Sequence, residues 1–150
     1  GRTLQAGLDP AKLRADMLNS ARWLKTQALS TGTLGVTGFC WGGGATNWLA
    51  TVLGTDMQAG VPYYGAAPAA DAVAAIKAAM LIQYAQNDER INAMWPTYEA
   101  ALKAASVSYE MYIYPGTQHG FHNNSTPRYN EAAAKLSWER TIAFFKKNLA

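Results

Sequence analysis

At 150 residues, 49% hydrophobic and 15% charged, the chain has the apolar content for one packed domain and too much of it for a disordered segment. Its net charge of +3 comes from scattered lysines and arginines, with Lys146 and Lys147 the only adjacent pair, so no basic stripe points to nucleic acid. A single cysteine excludes an internal disulfide, two histidines fall short of a structural zinc site, and no apolar run reaches the roughly 18 residues of a membrane span.

Asp9-Pro10 reads as a helix cap followed by proline in the first turn, and Leu13, Met17, Ala21, Leu24 and Ala28 then recur on one face until Ser30-Thr31-Gly32. A strand over 33–39 runs into Gly38-Phe39-Cys40-Trp41-Gly42, and a helix over 43–53 follows, bounded by Gly54. Gln58 to Tyr64 is a second strand, after which Asp71 can cap an alanine-rich helix ending near Ala78. Met80 to Tyr84 is a third strand, with the continuous apolarity of a strand covered on both faces. A polar loop, Gln86 to Arg90, ends it. Helix 95–105, strand 108–114 and a loop 115–127 carrying both histidines come next. A closing helix from about Arg128 to Leu149 has Trp138, Ile142, Phe145 and Leu149 at core spacing.

Strands alternating with helices predict an α/β fold: a parallel sheet of about four strands between two helical layers, in one domain over 1–150. Reactive side chains in such sheets gather at the carboxyl ends of strands. Cys40 follows the first strand, Asp88 the third and His119 the fourth.

Cys40 stands in a nucleophile elbow, G-x-S-x-G with sulfur for oxygen, where a tight strand-to-helix turn lifts the nucleophile out of the sheet. Glycines two residues before and after are expected to let the backbone cross without a Cβ clash. The helix start also favours a thiolate. Nucleophile, acid, histidine is the chain order of α/β-hydrolases. In that arrangement His119 takes the thiol proton, Asp88 holds the imidazole tautomer, and an acyl group passes through a thioester on Cys40.

Each assignment has a rival. Cys40 can be an inert buried thiol or an oxidisable sensor, Glu89 competes with Asp88, and His122 shares a loop with His119. His122 otherwise reads as a pocket wall or hydrogen-bond donor. The H-x-x-H pair lacks a clear third ligand and is a weak metal signal, so no metal is expected. Trp41, Tyr63, Tyr64 and Phe121 can line an apolar acyl site, and Arg90 and Arg128 are the nearest candidates for holding a substrate carboxylate.

Four segments, Val36 to Gly43, Val61 to Gly65, Gln83 to Arg90 and Tyr114 to Phe121, make the chain resemble the dienelactone hydrolase family from about Leu34 to the carboxyl terminus. The resemblance implies an α/β-hydrolase fold that cleaves small carboxylic esters or lactones, with Cys40, Asp88 and His119 as triad and no cofactor. The backbone N–H of Trp41 would supply one oxyanion donor. Founding members place an arginine shortly after the catalytic histidine, where this chain has Asn123 and reaches Arg128 only later, a departure that bears on the dienelactone substrate itself.

In that fold the elbow strand is central and an amino-terminal half supplies earlier strands and the second oxyanion donor. Only one helix precedes the elbow strand here, so the chain resembles the carboxyl-terminal half of a member, incomplete at its amino terminus. The strand from Leu34 to Phe39 is then expected to be an open edge, covered by a missing amino-terminal half, a second chain or another copy. The rival reading is a non-catalytic fragment or pseudo-hydrolase that associates through this edge. No other partner is expected beyond the small substrate, neither nucleic acid nor membrane. The expected compartment is the cytoplasm, with a removed export signal left open because the chain opens on Gly1.

Overall fold

A computed structural model describes residues 7–150. Helix α1 spans Pro10–Lys25, and Asp9 caps it by accepting from the Ala11 N–H at 2.9 Å. It ends a turn earlier than the apolar spacing predicts. Met17, Leu18 and Ala21 pack on the core, whereas Leu24 and Ala28 are exposed. The Thr26 N–H already bonds the Trp23 carbonyl, which tightens the last turn and closes the helix.

Strand β1 (Gly35–Phe39) leads directly into α2 (Trp41–Leu53), so the helix starts two residues before the expected Gly43. Strand β2 is Ala59–Tyr63 and β3 is Ala79–Asn87. Between them lies a 3₁₀ turn, Ala70–Ala75, in place of the expected α-helix, and Asp71 sits inside that turn without capping anything. A four-residue helix α3 (Glu89–Asn92) and then α4 (Trp95–Ala104) lead to β4, Tyr109–Gln118. Helix α5 is Glu131–Leu149, capped by Asn130, whose side chain accepts from the Ala133 N–H at 3.0 Å.

The four strands are parallel in the order β1-β2-β3-β4. Alternation in the strands feeds two cores. Met80, Ile82 and Tyr84 of β3 face Leu49, Leu53, Tyr98 and Leu102 on one side, while Leu81 and Ala85 join Val61, Tyr63, Tyr114 and Phe144 on the other. The result is the three-layer α/β architecture of the α/β-hydrolase fold.

Helix α5 docks through a polar seam and through only half of the stripe that its spacing suggests, Phe145 and Leu149, which pack on the core. The Tyr63 hydroxyl donates to the Ser137 carbonyl at 3.0 Å and lies 2.6 Å from Thr141 Oγ1; Gln83 Nε2 donates to the same Thr141 oxygen at 2.8 Å. Tyr114 donates to Gln83 Oε1, and Arg140 donates to the Tyr114 hydroxyl at 3.1 Å with its guanidinium 3.7 Å over the Tyr112 ring. Ala134, Ser137, Thr141 and Phe144 are therefore the buried face. Trp138 and Ile142, expected in the core, are 43% and 37% exposed. Their stripe lies toward β1: Phe145 and Leu149 sit within 3 Å of where a Gly35 Cβ would be. β1 and β4 are the two outer strands, and no strand pairs with the far side of β1 among the described residues.

Candidate active site

The turn that carries Cys40 is strained by construction. Cys40 holds φ 57° and ψ −117°, a left-handed conformation that a residue with a Cβ adopts only when its surroundings impose it. Here the Cys40 N–H bonds the Tyr63 carbonyl at 3.1 Å, and the Cys40 carbonyl accepts from Gly43 and Gly44. A Cβ at Gly38 would lie 2.2 Å from the Gly42 carbonyl oxygen, so the glycine before the nucleophile is obligatory. The glycine after it is not: a Cβ at Gly42 meets nothing within 4 Å. The second close approach is instead between Gly43 and Gly65, where either Cβ would fall within 2.5 Å of backbone across the contact. Helix α2 thus lies directly against the end of β2.

Asp88 follows β3 and His119 follows β4, two adjacent parallel strands, which brings their side chains together. His119 Nδ1 is 2.6 Å from Asp88 Oδ2, and His119 Nε2 is 3.0 Å from Cys40 Sγ. Asp88 is 7% exposed, whereas Glu89 points to solvent and pairs with nothing in the site. The three side chains form one relay from carboxylate to imidazole to sulfur. Cys40 is exposed, so the thiol is open to a reactant. As the first residue of α2, Trp41 has a backbone N–H with no intrahelical acceptor, next to the sulfur.

The remaining site candidates separate by environment. Tyr64 is buried at φ 35°, with its ring 4.9 Å from that of His119 and 5.5 Å from that of Phe121. Burial pushes its hydroxyl pKa upward, the Cys40 sulfur adds to the rise, and the hydrogen bond to the His122 backbone and the Arg128 charge partly offset it. Arg128 also packs along Gly120, with guanidinium atoms 3.6–3.8 Å from where that residue's Cβ would be. No carboxylate pairs with it among the described residues. Arg90 is exposed in an open hollow shared with Gln86, Asn87, Asp88 and Glu89.

His122 lies among the rings of Phe39, Tyr63 and Trp138, with Nε2 buried and unpaired. It is an aromatic wall rather than a hydrogen-bond donor through that nitrogen. Burial lowers its pKa from 6.5. Tyr63, grouped with the pocket by sequence, turns its hydroxyl into the α5 seam. Sequence reasoning passed over Phe39, which is 37% exposed and stacks at 4.9 Å on His122; its place beside the nucleophile was the available signal.

The family model described as "Dienelactone hydrolase family" matches residues 2–149. The chain belongs to the dienelactone hydrolase family. A Salmonella typhi protein provisionally named a carboxymethylenebutenolidase is 30% identical over 153 residues, covering 95% of this chain and 56% of its own length. A similarly named protein of Saccharolobus solfataricus is 36% identical over 111 residues, or 73% of this chain and 42% of its own. Among solved structures, a provisionally named dienelactone hydrolase of Klebsiella pneumoniae superposes with a TM-score of 0.83 at 28% identity, covering 94% of this chain and 63% of that one. This dienelactone hydrolase-family chain thus spans about half the length of the curated relatives it matches. None of the described helices is long and apolar enough to cross a membrane.

Proposed function

We propose that the chain carries the catalytic triad of a hydrolase for small carboxylic esters or lactones, with Cys40 as nucleophile, His119 as general base and acid, and Asp88 as the group that orients the imidazole. The relay of 2.6 Å and 3.0 Å contacts through His119 is the observation that carries this reading. His119 Nε2 accepts the thiol proton as Sγ bonds to the substrate carbonyl carbon. The carbonyl oxygen becomes an oxyanion, for which the Trp41 N–H is one donor. When the intermediate collapses, the C–O bond breaks, His119 returns its proton to the departing alkoxide, and a thioester remains on Cys40. Water, deprotonated by His119, then attacks the thioester carbon, releasing the acid and restoring the thiol. With a lactone the alcohol stays tethered to the acyl group through the first step.

Trp41, Phe121, His122 and Tyr64 supply an apolar surround. The unpaired Arg128 beside Gly120 supports a substrate with a carboxylate, and Arg90 is a more distant second cation. The second oxyanion donor comes from the segment that covers β1: an amino-terminal half, a second chain, or another copy. The open edge of β1 and the half-exposed Trp138 and Ile142 on α5 support such a cover. The same edge supports the rival reading of a non-catalytic association module.

Mixing the protein with p-nitrophenyl acetate distinguishes the two. The expected result is a burst of p-nitrophenolate, an acetyl adduct on Cys40 in the intact mass, and loss of both in Cys40→Ala. Equal hydrolysis by the parent and Cys40→Ala proteins would refute the thioester mechanism, and no hydrolysis by the parent assembled with its cover would favour the association module.

A further inference from the structure

The β3–β4 ladder is not in constant register. Met80 to Ala85 pair one-to-one with Tyr109 to Tyr114, but the next pair is Asn87 with Gln118. Between these pairs β3 has one residue, Gln86, whereas β4 has three, Pro115, Gly116 and Thr117. The bulge therefore shifts the register by two residues. Continued without it, the ladder would bring Thr117 level with Asp88 and carry His119 past the carboxylate. With it, Asp88 and His119 follow directly from a paired couple and meet at 2.6 Å. Bulges of this kind bend a strand and re-aim its side chains.

Two side chains replace ladder bonds that the bulge removes. Gln86 Oε1 accepts from the Gly116 N–H at 2.7 Å, and the buried Thr117 hydroxyl donates to the Tyr114 carbonyl at 2.8 Å. Gly116 takes φ +68°, which a side chain resists. Gln86 is braced in turn: Asn92 Nδ2 donates to the Gln86 carbonyl at 3.0 Å and to the Ala85 carbonyl at 2.9 Å, and the Asn92 N–H closes on the Asp88 carbonyl at 2.9 Å. Beside the Asn87–Gln118 pairing, the Gln86 side chain thus ties the end of the acid's strand to the bulge that precedes the histidine.

The geometry points to Gln86 as a positioning residue, whose side-chain carbonyl pins the β4 bulge and so sets the Asp88–His119 spacing of the proposed triad. It touches neither substrate nor sulfur. The inference rests on the hydrolase reading for its catalytic consequence, but the spacing itself can be measured without turnover.

The test compares the parent protein with Gln86→Met, which keeps the side-chain length and loses the acceptor, and Gln86→Glu, which keeps an acceptor oxygen. Gln86 is exposed, so thermal melting checks that each variant is folded. Proton NMR follows the low-field signal of the His119 Nδ1 hydrogen bonded to Asp88, and ester kinetics separate kcat from KM. In Gln86→Met the signal is expected to broaden or vanish and kcat to fall about tenfold with KM unchanged, whereas Gln86→Glu recovers most of both. Loss of the signal with recovery in Gln86→Glu supports the assignment even where the parent hydrolyses no ester, an outcome that would count against the hydrolase reading alone. An unchanged signal in Gln86→Met, or equal loss in both variants, overturns it.

Discussion

The carboxyl ends of β3 and β4 and the carboxyl end of β1 hold the three reacting side chains under opposite conditions. Asp88 and His119 follow two neighbouring strands, with Asp88 buried and the strand ends cross-braced by Gln86 and Asn92. Cys40 is exposed and has half-exposed Phe39 and Trp41 on either side. Yet the backbone at Cys40 is the more tightly constrained, through the Gly38–Gly42 and Gly43–Gly65 contacts. The difference teaches that order at the nucleophile comes from backbone against backbone, which needs no covering layer, whereas order at the acid–base pair comes from burial and side-chain hydrogen bonds.

Substitutions on each side can break or sharpen that contrast. The largest effect is expected for Asp88→Asn, which keeps the shape and loses the charge that holds the imidazole: kcat on an activated ester should fall on the order of 10⁴-fold. Gly65→Ala follows. With a Cβ placed 2.2 Å from the Gly43 carbonyl carbon, α2 must move off β2, at a cost of about 1–3 kcal/mol in denaturant melts. Gly42→Ala, one residue from the same contact, should instead be neutral or stabilise by up to about 1 kcal/mol, since its Cβ meets open space in a helix. Equal destabilisation by both would mean that the constraint is not backbone contact.

Arg128→Ala should lower kcat/KM roughly tenfold or more for esters bearing a carboxylate and leave neutral esters unchanged, in line with a charge-assisted hydrogen bond. The smallest effect concerns pH. The unfolded chain's His122 binds a proton near 6.5, and burial lowers that affinity in the folded protein. The unfolded state therefore holds more protons just below pH 6.5, and stability falls as the pH drops through that window. His122→Phe should flatten the slope of melting temperature against pH there. An unaltered slope would assign it to other groups.

Much of this was legible in the sequence because it depends on local chemistry. The chain order of Cys40, Asp88 and His119, the strand-turn-helix at the elbow and the parallel sheet follow from glycine spacing and apolar runs. What was not legible depends on partners distant in the chain. The stripe Trp138, Ile142, Phe145 and Leu149 looked like the core face of α5, but Tyr63 and Gln83 claim Ser137 and Thr141, so that Phe145 and Leu149 pack on the core while Trp138 and Ile142 stay half-exposed. Asp71 looked like a cap because nothing in its neighbours announces a 3₁₀ turn. The extension of β4 to Gln118 was hidden by Pro115-Gly116, a pair that reads as a turn and serves here as a bulge.

The hydrogen-bonded seam beneath α5 has one consequence for anything that docks at β1. Apolar surfaces let a helix slide or roll with little penalty, but Tyr63, Gln83 and Thr141 key α5 to the sheet at a single height and rotation. Trp138 and Ile142 are therefore held at a fixed height and rotation, and any surface that packs on them meets a shape already set.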